Sequence, residues 1–133
     1  MEQDYLKRQI DQLGKVLGKI LAEILRLKKQ GNVSDVVLVS HQMFKSELDL
    51  DIDEILNIPY SDFAERLVAE YDFNNNTLNK LADILLSLAE GNAYKREVIH
   101  SKCIQIYEYL DKTERTFSFD RQAKIEQIRE NLL

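Results

Sequence analysis

The sequence contains a single proline, only four glycines and no tryptophan. Helix interiors tolerate proline and glycine least, so a 133-residue chain with so few of them is typical of a protein that is helical throughout. No long alternating run of β-branched residues is present, which argues against a sheet. Hydrophobic residues make up 44% of the chain, which favours one packed domain and excludes a disordered composition.

The chain also has only one cysteine, Cys103, so no disulfide can form within it. A lone cysteine is typical of a reducing compartment, and the first residues, MEQDYLKRQIDQ, lack the apolar segment of a signal peptide. The apolar runs, such as VVLV at 36–39, are far shorter than the ~20 residues that span a bilayer. We therefore expect a cytoplasmic protein with no membrane span.

The net charge of −5 is unevenly distributed. Residues 1–30 carry seven Lys and Arg against four Asp and Glu, whereas residues 31–133 carry eleven against nineteen. Because nucleic-acid binding requires positive charge to neutralise phosphates, we expect no nucleic-acid partner. A basic surface is expected only on the first helix, opposite its apolar stripe, where it would be formed by Arg8, Lys15, Lys19 and Arg26.

Apolar residues recur at helical spacing along most of the chain. Over about 3–30 they alternate at spacings of four and three, which predicts one long helix that ends at Gly31. Val16, Leu21 and Leu25 should widen its apolar stripe. The heptad positions are Leu6, Ile10, Leu13, Leu17, Ile20, Ile24 and Leu27.

Further helices are predicted at about 35–48, 61–71, 77–90, 93–112 and from 118 onward, with one helical turn near 53–57. In the helix at 77–90 the predicted inward residues are Leu78, Leu81, Ala82, Leu85, Leu86 and Ala89. In the helix at 93–112 the predicted apolar face comprises Val98, Ile99, Cys103, Ile106, Tyr107 and Leu110. Turns are predicted at 74–76 and 91–92, and the expected N-caps are Asn32 or Ser34, Ser61, and Ser118 or Asp120. The sequence thus predicts a single all-α domain over residues 1–133. It should contain five to six antiparallel helices, arranged as a helical bundle or a hairpin array.

From residue 78, the segment LADILLSLAEGNAYKREVIHSKCIQIYEYLDK pairs two predicted helices across a short turn. It resembles a degenerate tetratricopeptide hairpin, which implies helical hairpins over about 77–133 and a protein or peptide partner. The opening QDYLKRQIDQLGKVLGKIL resembles that of a group of uncharacterised bacterial helical proteins, which implies no activity or ligand. The tetratricopeptide likeness rests on Ala82, Ala89, Gly91, Asn92, Tyr94, Tyr107 and Leu110.

The string Asp49, Asp51 and Asp53 has the D-x-D-x-D spacing that opens a calcium loop. Such a loop needs glycine at its sixth position and a glutamate at its twelfth, where this chain has Glu54 and Tyr60. The acidic string is therefore interpreted as a surface linker.

His100 and Cys103 lie three residues apart, a spacing that can direct two ligands to one zinc ion. Zinc needs three or four ligands, and the only other histidine is His41. Cys103 lies on the apolar side of its predicted helix, which favours a buried small hydrophobe. No phosphate-binding loop, dinucleotide fingerprint, zinc-protease motif or nucleophile elbow is present, so we expect no cofactor and no metal.

Gly14 and Gly18 form a G-x-x-x-G pair in a helix where each glycine is unfavourable by ~1 kcal/mol relative to alanine. The pair indicates close approach of another helix, either from this chain or from a second copy.

These features favour a non-enzymatic helical protein–protein interaction module. One alternative is a homodimer that self-associates through the first helix, and another is a small-molecule binder or enzyme with an inter-helix pocket near Cys103. The late aromatics are interpreted as the ends of a small core, and the alternative is that exposed ones anchor a partner peptide. They are Tyr94, Tyr107, Tyr109, Phe117 and Phe119. The candidate interaction surface comprises Arg8, Lys15, Lys19, Arg26, Tyr94 and Tyr109.

Overall fold

The computed structural model describes residues 2–92 and 95–132. These residues form seven α-helices, two short 3-10 turns and no strand, so the predicted all-α class is confirmed. The predicted helical turn near 53–57 is a short helix in its own right. The helices are α1 (Glu2–Lys29), α2 (Val36–Leu48), α3 (Ile52–Leu56), α4 (Phe63–Tyr71), α5 (Asn75–Asn92), α6 (Arg96–Glu114) and α7 (Phe119–Leu132).

Helix α5 lies at the centre of the bundle, between α1 and α6. α1 and α5 run parallel, because Lys80 donates to the Gly14 carbonyl at 3.2 Å near one end and Lys28 pairs with Glu90 at 2.6 Å near the other. α2 folds back along α1, α6 folds back along α5, and α7 folds back along α6. α3 and α4 cover α6.

A single hydrophobic core joins these helices. The heptad positions of α1 are buried from Leu13 to Leu27, as predicted, whereas the side chains of Leu6 and Ile10 lie outside the described set. On α5, Ile84 and Leu88 are buried in addition to the predicted inward face, because this helix is covered on two sides. The innermost side chains include Leu17, Ile20, Ile24, Leu78, Leu81, Leu85, Ile99, Ile106 and Tyr107.

Two apolar residues that were predicted to face inward are exposed instead. Leu25 is 56% exposed and Val98 is 43% exposed. Each is adjacent in sequence to a buried isoleucine, Ile24 or Ile99, and one residue step rotates a side chain by ~100° around the helix. That rotation turns both side chains away from the core.

The end of α1 at Gly31 is confirmed. Gly31 has φ +79°, its N–H donates to the Lys28 carbonyl at 3.1 Å, and the Asn32 N–H donates to the Leu27 carbonyl at 2.8 Å. This is the Schellman arrangement, in which a residue in the left-handed region satisfies the last carbonyls of a helix.

The predicted cap at Ser118 is confirmed, because its Oγ accepts from the Arg121 N–H at 3.2 Å. The predicted caps Asn32, Ser34 and Ser61 are wrong. These residues precede or lie within the 3-10 turns that lead into α2 and α4, and no side-chain cap forms at either start. The i→i+3 bonds of a 3-10 turn can satisfy the first N–H groups without a side chain.

Much of the two predicted turns beside α5 is helical: residues 75 and 76 of the predicted turn at 74–76 belong to α5, and the predicted turn at 91–92 is wrong because both residues belong to α5. Asn74 caps the helix, since its Oδ1 accepts from the Thr77 N–H at 2.9 Å while the Thr77 Oγ1 accepts from the Asn74 N–H at 2.8 Å. Such reciprocal bonding lets the helix start immediately after Asn74. At the other end α5 continues through Gly91 to Asn92, because one glycine in a last turn is only mildly unfavourable.

Lys102 anchors the α3–α4 connection onto α6. Its side chain is buried, its ammonium donates to the Ile58 carbonyl, and it lies 4.7 Å from the centroid of the Phe63 ring. Burial lowers the pKa of Lys102. The carbonyl and the ring replace part of the hydration that the buried ammonium loses. Through these two contacts Lys102 links α6 to the segment between α3 and α4.

The helix that approaches Gly14 and Gly18 is α5 of the same chain. A Cβ atom at Gly14 would lie 3.7 Å from Thr77 Cγ2, and a Cβ atom at either glycine would lie 3.9 Å from the Lys80 Nζ. The Lys80 side chain therefore reaches both glycines. These are ordinary van der Waals distances, so an added methyl group fits.

Gly18→Ala is expected to raise the free energy of unfolding by about 0.5–1 kcal/mol, because alanine loses less backbone entropy in a helix. Gly31→Ala is the matched control and should lower it by about 1 kcal/mol, since alanine is strained at φ +79°. Urea unfolding followed by circular dichroism measures both. A loss of stability in Gly18→Ala would show that Lys80 has no room to move.

Candidate interaction surfaces

The predicted basic residues lie on one exposed side of α1, but part of their charge is neutralised within the chain. Lys19 pairs with Glu47 of α2 at 2.5 Å, and Arg26 binds the carboxylate of Glu23. The hydrogen bond from Arg26 lowers the pKa of Glu23. The other two basic residues, Arg8 and Lys15, form no ion pair with the described residues.

A shallow groove runs between α1 and the end of α2. It has a volume of about 310 Å³, and its lining is mostly polar: Gln12, Lys15, Val16, Lys19 and Glu47. A neighbouring groove of about 370 Å³ shares Gln12 and Glu47 with it. The first groove therefore offers mostly charged and amide groups, whereas Leu13, Leu48, Leu50 and Tyr71 add apolar surface to the second.

Tyr109 lies on a different side of the molecule. It is half-buried on α6 and lines a groove of about 340 Å³ against α4, together with Ala64 and Glu65. Because α5 separates α1 from α6, the structure does not bring Tyr109 together with the basic residues. Tyr94, the sixth predicted residue, lies outside the described residues.

Tyr107 and Tyr109 take opposite environments on α6, as their spacing predicts. Tyr107 is fully buried, and this burial raises the pKa of its hydroxyl. Tyr109 faces the groove.

Phe117 and Phe119 form an exposed aromatic pair that sequence reasoning placed in the core. They are 67% and 83% exposed, and their ring centroids lie 4.7 Å apart in a T-shaped arrangement at 84°. The prediction is wrong because α6 ends at Glu114 and the chain then turns outward through Arg115, which has φ +55°. Phe119 also lies two residues before the buried Arg121, nearly opposite it around α7.

Arg121 braces the connection that carries this aromatic pair. Its side chain is 8% exposed, and it donates to Asp111 at 3.0 Å and to Glu114 at 3.1 Å. Gln122 adds a bond to Asp111 at 3.2 Å, and Ser118 caps α7 through the Arg121 N–H. Both ends of the 115–118 connection are thus held by the same cluster. Charge-assisted bonds of this kind restrict the backbone that presents the rings.

Cys103 and His100 do not form a reactive site. Cys103 is fully buried, its thiol lies 3.6 Å from the Ala82 carbonyl, and burial raises its pKa. His100 is also buried, and burial lowers its pKa. Among the described residues, no third histidine, cysteine or carboxylate completes a metal-binding group with them. A protonated, inaccessible thiol is not a nucleophile.

Arg121→Met is expected to lower the free energy of unfolding by about 1–3 kcal/mol, because two carboxylates lose a partly buried partner. Arg129→Met is the matched control on the same helix. Its pair with Glu108 is long, at 3.5 Å, and exposed, so the expected change is below about 0.5 kcal/mol. Thermal and urea unfolding compare the two, and equal effects would contradict the bracing role of Arg121.

Cys103 is expected to react with a thiol reagent such as Ellman's reagent on the order of a hundredfold more slowly in the native protein than in denaturant. Reaction must await opening of the core around α6. The rate of absorbance change measures this protection. Rapid reaction in native buffer would show an accessible thiol and would restore the enzyme alternative.

None of the described helices combines the length and apolar character required to cross a membrane. Comparison with known proteins gives no match: neither a family model, nor a curated protein, nor a solved structure is similar to this chain. The tetratricopeptide-like and bacterial-family resemblances therefore stay predictions.

Proposed function

We propose that this protein is a non-enzymatic helical interaction module that binds a protein partner through Phe117 and Phe119. The observation that carries the proposal is the exposure of both rings on a braced connection between α6 and α7. Two neighbouring aromatic rings in water form an apolar patch whose burial would contribute several kcal/mol to binding, at about 25 cal/mol per Å².

The brace makes the aromatic pair an effective anchor. Binding loses less conformational entropy when the contacting side chains are already held in place. Aromatic anchors also account for much of the energy of many interfaces. Arg121 fixes the connection from inside the protein and leaves both rings outside it.

The partner that best fits this surface is a different protein with an apolar pocket. Charged side chains line each of the grooves found in this chain, which disfavours burial of the two rings by a second copy. Lys112 and Arg115 precede the rings, are exposed and form no ion pair with the described residues. We therefore expect carboxylates at the rim of the partner's pocket.

The rest of the fold supports this proposal over the two alternatives. The heptad positions of α1 from Leu13 to Leu27 are buried in the core of this chain. That part of α1 therefore has no free apolar stripe with which to form a dimer. Buried Cys103 weighs against a reactive pocket. The single cysteine of the sequence supports a cytoplasmic location as part of this proposal. The α5–α6 pair, with Ala82 and Ala89 buried, supports a tetratricopeptide-like hairpin as scaffold.

The test is affinity capture from a lysate of the source organism, with the parent chain and the double variant Phe117→Ser, Phe119→Ser. We expect a protein that the parent recovers and the variant loses, and direct titration should then show at least about tenfold weaker binding. Because both rings are exposed, the variant should keep its circular dichroism spectrum and unfolding midpoint.

The matched control is Leu25→Ser, Leu38→Ser, which removes two apolar side chains exposed elsewhere (56% and 59%). It should retain the captured protein. Equal capture by all three chains, or no capture that depends on the rings, would contradict the proposal. Sedimentation velocity that shows a ring-dependent dimer would replace it with self-association.

A further inference from the structure

Three metal-ligand side chains converge at the start of α3. His41 comes from α2, Asp51 is the N-cap of α3, and Asp53 lies in its first turn. One ligand atom from each lies within 4.8 Å of the other two. The tertiary fold brings the imidazole to these two acids, which are ten and twelve residues away along the chain.

We propose that His41, Asp51 and Asp53 form a binding site for a divalent transition-metal ion of the zinc class. One imidazole nitrogen and two carboxylate oxygens are the mixed donor set that zinc accepts. Calcium instead takes six to eight oxygen ligands, and this group offers few oxygens together with a nitrogen. The histidine therefore distinguishes this site from the calcium loop that the D-x-D-x-D string suggests.

The group needs only a small contraction to hold such an ion. Bonds of ~2.1 Å in a tetrahedral site place ligand atoms ~3.4 Å apart. The present separations, at most 4.8 Å, exceed that by little more than an ångström, which side-chain rotation can supply. Three protein ligands leave a fourth position for water. A groove of about 520 Å³, lined by His41 and Asp51, gives access to it.

Both carboxylates already have partners that orient them. Asp51 Oδ1 accepts from the N–H groups of Asp53 at 2.8 Å and Glu54 at 3.3 Å, and Asp53 Oδ1 pairs with Lys95 at 2.8 Å. Ligating carboxylates are typically hydrogen-bonded in this way, because a carboxylate has two oxygens that can accept hydrogen bonds and bind an ion. The Lys95 ammonium also repels a cation, so we expect micromolar rather than nanomolar affinity.

The test is calorimetric titration of the untagged full chain with zinc chloride in a non-chelating buffer, repeated with calcium chloride. We expect one zinc ion per chain and much weaker calcium binding. His41→Gln and Asp51→Asn should each weaken zinc binding by about tenfold or more. Asp51→Asn is informative because asparagine also caps helices, so α3 should remain folded.

Asp49→Asn is the matched control. It removes the same charge two residues earlier, from an exposed acid outside the group, and asparagine tolerates its φ of +53°. It should change zinc affinity by less than about threefold.

Several results would overturn the proposal. They are no zinc binding by the parent chain, equal affinity in His41→Gln, equal losses in Asp49→Asn and Asp51→Asn, or tighter binding of calcium. Equal losses would indicate attraction by a diffuse acidic surface. The site shares no residue with the aromatic pair, so this outcome is independent of the proposed interaction.

Discussion

The burial of α5 between α1 and α6 is the constraint on which the rest of the structure depends. Leu78, Leu81 and Leu85 have no exposed surface, and Ile84 and Leu88 are buried on the same helix. Each such side chain contributes ~1.5–3 kcal/mol when it leaves water. Because α1 and α5 run parallel, no short turn can join them. α2, α3 and α4 therefore carry the chain back before α5 begins, and they cover the outer sides of α1 and α6.

This central helix also separates the surfaces of the molecule. The basic residues of α1 lie on one side of α5, and Tyr109 and the braced aromatic connection belong to α6 and α7 on the other. Ion pairs such as Lys19–Glu47 and Lys28–Glu90 join neighbouring helices and reduce the basic character of α1. Two distinct surfaces remain: the exposed rings beyond α6 and the histidine–carboxylate group between α2 and α3.

Two buried cations and two exposed aromatic side chains depart from the usual arrangement of apolar residues inside and charged residues outside. Lys102 and Arg121 are buried cations, and each holds a connecting segment in place through a carbonyl or carboxylates. Phe117 and Phe119 are apolar and exposed. The proposed interaction rests on this arrangement, in which a buried arginine braces a connection that carries two solvent-exposed rings.

The sequence by itself determined the all-α class, the length of α1, its stop at Gly31 and most of the core, because helical periodicity and caps depend on residues within a few turns of one another. Only the tertiary structure decided that α5 is buried on two sides and that Leu25 and Val98 face solvent. The tertiary structure also leaves Phe117 and Phe119 exposed to solvent and brings the side chain of His41 close to those of Asp51 and Asp53. Those outcomes depend on which helices cover one another, and spacing along one chain segment does not contain that information.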